Sequence, residues 1–145
     1  MKTSIVRLLT LVVLAAGAAA CGSDSPTAPP TFVGPAELQI TDLTVGTGAT
    51  VAAGQTINVN YALWLYDPNG PNLKGTQIPS QTPLTVTLSP GGIIQGWIQG
   101  VPGMKVGGIR RLLIPPSLAY GASGSGPIPP NAWIVFDIEL LAIAP

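Results

Sequence analysis

A chain of 145 residues with no formal net charge, 8% charged residues, 18 Gly and 16 Pro suits one small domain with appendages, built from short strands and turns rather than long amphipathic helices. Histidine is absent and cysteine occurs once, which excludes Ser-His-Asp and Cys-His nucleophilic systems and a His/Cys zinc site. No basic cluster exceeds Arg110-Arg111, so a nucleic-acid partner is not expected, and neither is a metal or other cofactor.

In chain order, Lys2 and Arg7 precede an apolar run from Leu8 to Ala20 that is short for a bilayer span, the layout of a secretory signal over residues 1–20. Two readings of its end stay open. Ala18 and Ala20 satisfy the small-x-small rule of ordinary signal peptidase, while Cys21, directly after the small residues, looks like the lipidation site of a bacterial lipoprotein. Lipidation is favoured, because a solitary thiol on an exported chain is open to oxidation and acylation removes it. Gly22 stands where the inner-membrane retention signal of such lipoproteins has Asp, so the resemblance implies the outer membrane, facing the periplasm or the surface. Cleavage removes Lys2 and Arg7 and leaves the mature chain about two charges negative. Residues 21–36, rich in Ser, Thr, Pro, Gly and Ala, have little to bury and read as a flexible tether.

The folded domain is expected over residues 37–145. Leu38, Ile40 and Leu43 suggest a first strand, broken by Gly46-Thr47-Gly48. Ile57, Val59, Tyr61, Leu63 and Leu65 recur every second residue and predict a half-buried strand, which Asp67-Pro68-Asn69-Gly70 must end. Leu84, Val86 and Leu88 alternate again. The spacing then changes: Ile93, Ile94, Trp97, Ile98 and Val101 predict a short helix over 93–101, weakened by Gly96 and Gly100. Val106 to Ile114 reads as a strand stopped by Pro115-Pro116, a Gly/Ser/Pro loop runs to Asn131, and Ile134, Phe136, Ile138 and Leu140 form one face of a closing strand. Strands dominate and connections are too short for repeated crossovers, so the class is α+β, an antiparallel sheet wrapped around one short helix.

Three segments carry a resemblance: Gly91-Gly92-Ile93-Ile94-Gln95-Gly96-Trp97, Leu118-Ala119-Tyr120-Gly121-Ala122, and Ile128-Pro129-Pro130-Asn131-Ala132-Trp133-Ile134-Val135-Phe136-Asp137. In order and spacing they resemble the FKBP-type peptidyl-prolyl isomerases, the immunophilins that bind the macrolide tacrolimus, in a bacterial lipoprotein form. The resemblance covers Glu37 to Ala144 and implies the FKBP fold. It implies catalytic roles for Tyr61, Trp97, Tyr120 and Phe136 and substrate binding by Leu84, Val86, Ile93, Ile94 and Ile128, with the Trp97 indole as the floor under a prolyl ring. The Ile94 amide N–H and the Tyr120 hydroxyl would hold substrate carbonyls. Taken alone, Trp97, Tyr61 and Phe136 also suit core positions; Tyr120, in a loop of Gly, Ser and Pro, is harder to assign to packing.

The chain departs from that family at Leu118, where a tyrosine often stands, in a loop after Tyr120 that is one residue shorter, and above all in the segment after the second strand. A Phe-Asp pair that usually follows the second strand falls here on Lys74 and Gly75, and no Asp or aromatic occurs between Pro68 and Pro83; Leu73 or Ile78 would have to serve as wall. The implied activity is rotation of Xaa-Pro bonds in exported proteins, at reduced strength, with proline-containing polypeptides and tacrolimus-like macrolides as partners and a monomer expected. The alternative is a non-catalytic FKBP-like peptide-binding or chaperone module on a lipid anchor. A merely architectural resemblance is the third reading.

Overall fold

The computed structural model describes residues 31–145; the expected signal peptide, Cys21 and most of the expected tether lie outside the described residues. The centre of the fold is the pair formed by β2 (Thr56–Tyr66) and β6 (Ile134–Ile143), antiparallel from Ile57↔Ile143 to Leu65↔Ile134. Both strands owe their position to period-two patterning. Ile57, Val59, Leu63 and Leu65 on one and Ile134, Phe136, Ile138 and Leu140 on the other are buried on the same side of the sheet.

β5 (Ile109–Ile114) lies on the far side of β6, and β1 (Gln39–Thr44) pairs outside it as an edge strand. The other edge of β2 is shared. β3 (Lys74–Ile78) pairs with its C-terminal half and β4 (Leu84–Thr87) with its N-terminal half. In the interval between them the Ser80 hydroxyl donates to the Tyr61 carbonyl at 3.1 Å. The six strands form one antiparallel sheet in the order β1-β5-β6-β2-β3, with β4 beside β2.

The helix, α1 (Gln95–Gly100), is shorter than the expected 93–101. Ile94 has extended backbone, φ −62° and ψ 149°, and acts as N-cap, while Val101 closes the other end. The two glycines that weaken the helix are what seat it. A Cβ on Gly96 would come within 2.5 Å of Ile114 Cγ2, and one on Gly100 within 2.7 Å of Leu112 Cδ2, so only bare backbone fits directly on β5. Arg110, on the inner face of β5, donates to the carbonyls of Gly100 at 2.8 Å and Pro102 at 3.2 Å. It thereby satisfies carbonyls that a helix C-terminus leaves open, and Asp42 of β1 holds the guanidinium from the other side.

Two other elements differ from the sequence reading. β3 has no apolar alternation in Lys-Gly-Thr-Gln-Ile; pairing with β2 makes it a strand, through a register irregularity between Trp64 and Tyr66. Residues 106–108 belong to a turn with Gly107 at φ 86°, so β5 begins at Ile109. Near the N-terminus, the Trp133 indole N–H donates to the Pro35 carbonyl at 2.9 Å, so the end of the expected tether rests against the domain.

Candidate active site

Three aromatic side chains converge on the inner face of the sheet under α1. Tyr61 points inward from the middle of β2. Phe136, the cross-strand partner of Leu63, does so from β6. Trp97 reaches down from the helix. Ring centroids are 5.5 Å apart for Tyr61 and Trp97 and 5.3 Å for Trp97 and Phe136, both nearly perpendicular at 86° and 85°. Tyr61 and Phe136 are 5.8 Å apart with a tilt of 49°. Edge-to-face contact of this kind places the positive rim of one ring on the negative face of another and fixes all three against rotation.

A cavity of about 60 Å³ opens on this trio, larger than a single water requires, and is lined by Tyr61, Leu63, Leu84, Ile93, Ile94, Trp97, Tyr120 and Phe136. The indole of Trp97 is only 1% exposed and forms the depth of the cavity. Tyr61, Leu84, Ile93, Ile94 and Tyr120 are half-buried and make the mouth. Of the nine pocket residues expected from sequence, seven therefore surround one cavity. Val86 and Ile128 do not line it. Val86 lies opposite Ile57 and packs on the core one step beyond Leu84. Ile128 is buried as the anchor of its own loop, exchanging backbone hydrogen bonds with Ser125 at 2.9 Å in each direction. Leu63 is the lining residue the resemblance did not supply; its signal was the alternation that puts it two residues after Tyr61 on the same face.

The loop residues are held by backbone bonds. Pro115 and Pro116 end β5 and start a tight turn, with Leu118 N–H donating to Pro115 at 3.0 Å and Ala119 N–H to Pro116 at 3.1 Å. Tyr120 follows, and Gly121, at φ 59°, reverses the chain so that its carbonyl accepts from Asn131 N–H at 2.8 Å. The tyrosine is thus set by the loop closing on the Ile128–Asn131 segment. Burial pushes its hydroxyl above the ordinary tyrosine range, and the neighbouring Tyr61 adds to the shift.

Donors are present and charges are not. Ile94 N–H precedes the first helical turn and donates to no backbone carbonyl among the described residues, whereas its C=O accepts from Trp97 N–H at 3.1 Å. The Trp97 indole N–H is buried and unpaired. No carboxylate or amine lines the cavity. Lys74, at the position of the missing Phe, turns to the opposite face of the sheet, where its ammonium lies 2.6 Å from Asp137 Oδ2 and 3.6 Å from the centre of the Trp64 ring. Of the two substitute walls considered, Leu73 is exposed and Ile78 is buried beside Leu63, its cross-strand partner, without lining the cavity. The arrangement can hold a compact apolar ring and orient a carbonyl; it has no group that abstracts or delivers a proton at neutral pH.

The family described as FKBP-type peptidyl-prolyl cis-trans isomerase matches residues 48–141. An FK506-binding protein of Neisseria meningitidis serogroup B is 43% identical over 107 residues, covering 73% of this chain and 95% of that protein. The crystal structure of AtFKBP13 is similar at a TM-score of 0.65 with 37% identity, over 77% of this chain and 97% of that one. FkpA from Escherichia coli is similar at a TM-score of 0.63 with 35% identity, over 74% of this chain and 48% of that one.

Proposed function

Since the chain belongs to the FKBP-type peptidyl-prolyl cis-trans isomerase family, we propose that it catalyses rotation about Xaa-Pro peptide bonds in exported proteins as they fold. The observation that carries this reading is the cavity itself, walled by three interlocked rings, with unpaired donors at hand and no ionisable group except two tyrosines. Rotation about an Xaa-Pro amide faces a barrier of about 18–20 kcal/mol because resonance must be broken. The planar amide is the more polar state, and the twisted one, with its nitrogen lone pair localised, is less so. A dry aromatic cavity therefore disfavours the planar state relative to the twisted one, while fixed donors hold a substrate carbonyl as the bond turns. Trp97 serves as floor under the prolyl ring, Tyr61 and Phe136 as sides, and Ile94 N–H and the Tyr120 hydroxyl as anchors.

The missing Phe-Asp pair removes an acceptor and an aromatic contact, which lowers turnover and tacrolimus affinity by about 1–3 kcal/mol for a lost polar contact in a buried site. Turnover of an Xaa-Pro peptide by the purified protein tests the reading, with Trp97→Ala and Tyr120→Phe beside it. Rates equal to buffer would move the assignment to a non-catalytic peptide-binding module, which the outward turn of Lys74 favours.

The reading extends to location. Cleavage before Cys21 and acylation of its thiol would tether the domain to a bacterial membrane, the outer one given Gly22, where slow prolyl isomerisation limits folding and ATP is not supplied. Mass spectrometry of the membrane fraction tests it: an unmodified Cys21, or its loss with the leader, removes the anchor and leaves the isomerase reading standing.

A further inference from the structure

We propose that Arg110 is a positioning residue for the reaction: it holds the helix that carries Trp97 where the cavity needs its floor, a role that rests on the isomerase reading above. Three observations meet at its guanidinium. α1 is six residues long, far below the length of about 12–15 at which a helix stands by itself, and no side chain caps its N-terminus. Its seat on β5 is made by Gly96 against Ile114 and Gly100 against Leu112, where bare backbone offers no ridge to fix the helix along the strand. Arg110 is next on the same face of β5, two residues before Leu112, and is only 8% exposed.

The fork is used on both sides. Nη1 donates to the carbonyls of Gly100 at 2.8 Å and Pro102 at 3.2 Å, while Nε and Nη2 donate to the two carboxylate oxygens of Asp42 at 2.6 and 3.1 Å. One arm therefore grips the end of the helix and the other grips β1, which stops the helix from sliding along β5 or lifting from it. Trp97 stands three residues before Gly100, and its C=O accepts from Val101 N–H at 3.0 Å, so a shift at the C-terminal end reaches the indole within one turn. Lysine keeps the charge but is a single point of attachment and cannot reproduce the planar fork. The indole has to lie under the prolyl ring as the bond turns, and a misplacement of about 1 Å in such a group costs up to about 100-fold in rate.

The test measures kcat and KM on an Xaa-Pro tetrapeptide, together with the indole N–H resonance of Trp97, in the wild-type protein, Arg110→Lys and Asp42→Asn. Urea titration gives the folded fraction, and kcat is expressed per folded molecule. In Arg110→Lys, kcat should fall about tenfold or more with KM within about twofold, and the Trp97 resonance should move while those of Trp64 and Trp133 stay. Asp42→Asn weakens one arm of the fork at an exposed carboxyl and should give a smaller fall of the same kind. It also keeps the comparison available if the lysine variant does not fold. Unchanged kcat per folded molecule in the variants that fold, a change confined to KM, or a fall in kcat with a stationary Trp97 resonance overturns the role of Arg110 and leaves the isomerase reading intact. Wild-type protein inactive on the peptide removes the isomerase reading, and this inference with it.

Discussion

The two faces of the same sheet are built on opposite principles, although their side chains alternate along the same strands. On the inner face, β2 presents Tyr61 and Leu63 and β6 presents Phe136 and Ile138, all apolar or aromatic. One residue away, the outer face carries Asn60, whose amide donates to Glu139 at 3.0 Å, and Asp137, which accepts from Arg111 at 2.7 and 2.9 Å and from Lys74 at 2.6 Å. Among the described residues Arg110 is the one charged residue that is buried, and it sits at the C-terminal end of the helix, away from the cavity. Charges on β2 and β6 thus lie one strand-thickness from the cavity. For the proposed isomerisation that separation is an advantage, because an ion would bring water and favour the polar planar amide.

Four variants and one pH profile would break or sharpen that contrast. The largest effect is expected for Trp97→Ala, which empties the best-buried point of the inner face. Stability should fall by about 3–5 kcal/mol, seen as a lower urea midpoint, and turnover should drop to the uncatalysed rate. Persisting turnover would show that the chemistry lies elsewhere. Next is Gly96→Ala, where a methyl meets Ile114 and overpacking of about 1–3 kcal/mol outweighs the gain of about 0.5–1 kcal/mol from removing a helical glycine. A variant more stable than wild type in the same urea titration would mean that the helix does not lie directly on β5.

Tyr120→Phe should leave the unfolding curve in place and lower kcat/KM roughly five- to tenfold, the worth of one hydrogen bond. In the wild type the activity profile should be flat between about pH 6 and 9, because the raised Tyr120 hydroxyl stays protonated there and histidine is absent. A break near neutrality would place a titrating group in the site. The smallest effect belongs to the outer face. Burial pushes the Asp137 carboxyl up, but hydrogen bonds from Arg111 and Lys74 outweigh this and hold it below the ordinary carboxylate value. Its contribution is therefore present above about pH 4 and lost as pH falls through the lowered value. Asp137→Asn should cost about 1 kcal/mol at neutral pH, flatten the acid limb of the stability curve and leave turnover unchanged. An altered turnover would show that the two faces are coupled.

Much of this contrast could be read before any coordinates. Alternation in β2 and β6 placed Tyr61 and Phe136 on one face and Asp137 and Glu139 on the other, since a strand's side chains have a period of two. The loop motif around Tyr120 and the Trp97 helix were legible for the same local reason. β3 was not, because Lys74–Ile78 has no pattern of its own and becomes a strand only by pairing. Val86 and Ile128 do not line the cavity, because Val86 packs beside Leu84 on the core and Ile128 anchors its own loop.

Residue order by itself determined the strands with clean alternation, the apolar inner face of β2 and β6 and the exclusion of histidine-dependent nucleophilic chemistry, because composition and periodicity are local properties of the chain. Only the tertiary structure decided that Gly96 and Gly100 seat the helix rather than merely weaken it, that Lys74 turns outward, and that Leu63 stands at the depth of the cavity. Those outcomes depend on what lies across a strand pair or beneath a helix, and such neighbours are far apart in sequence.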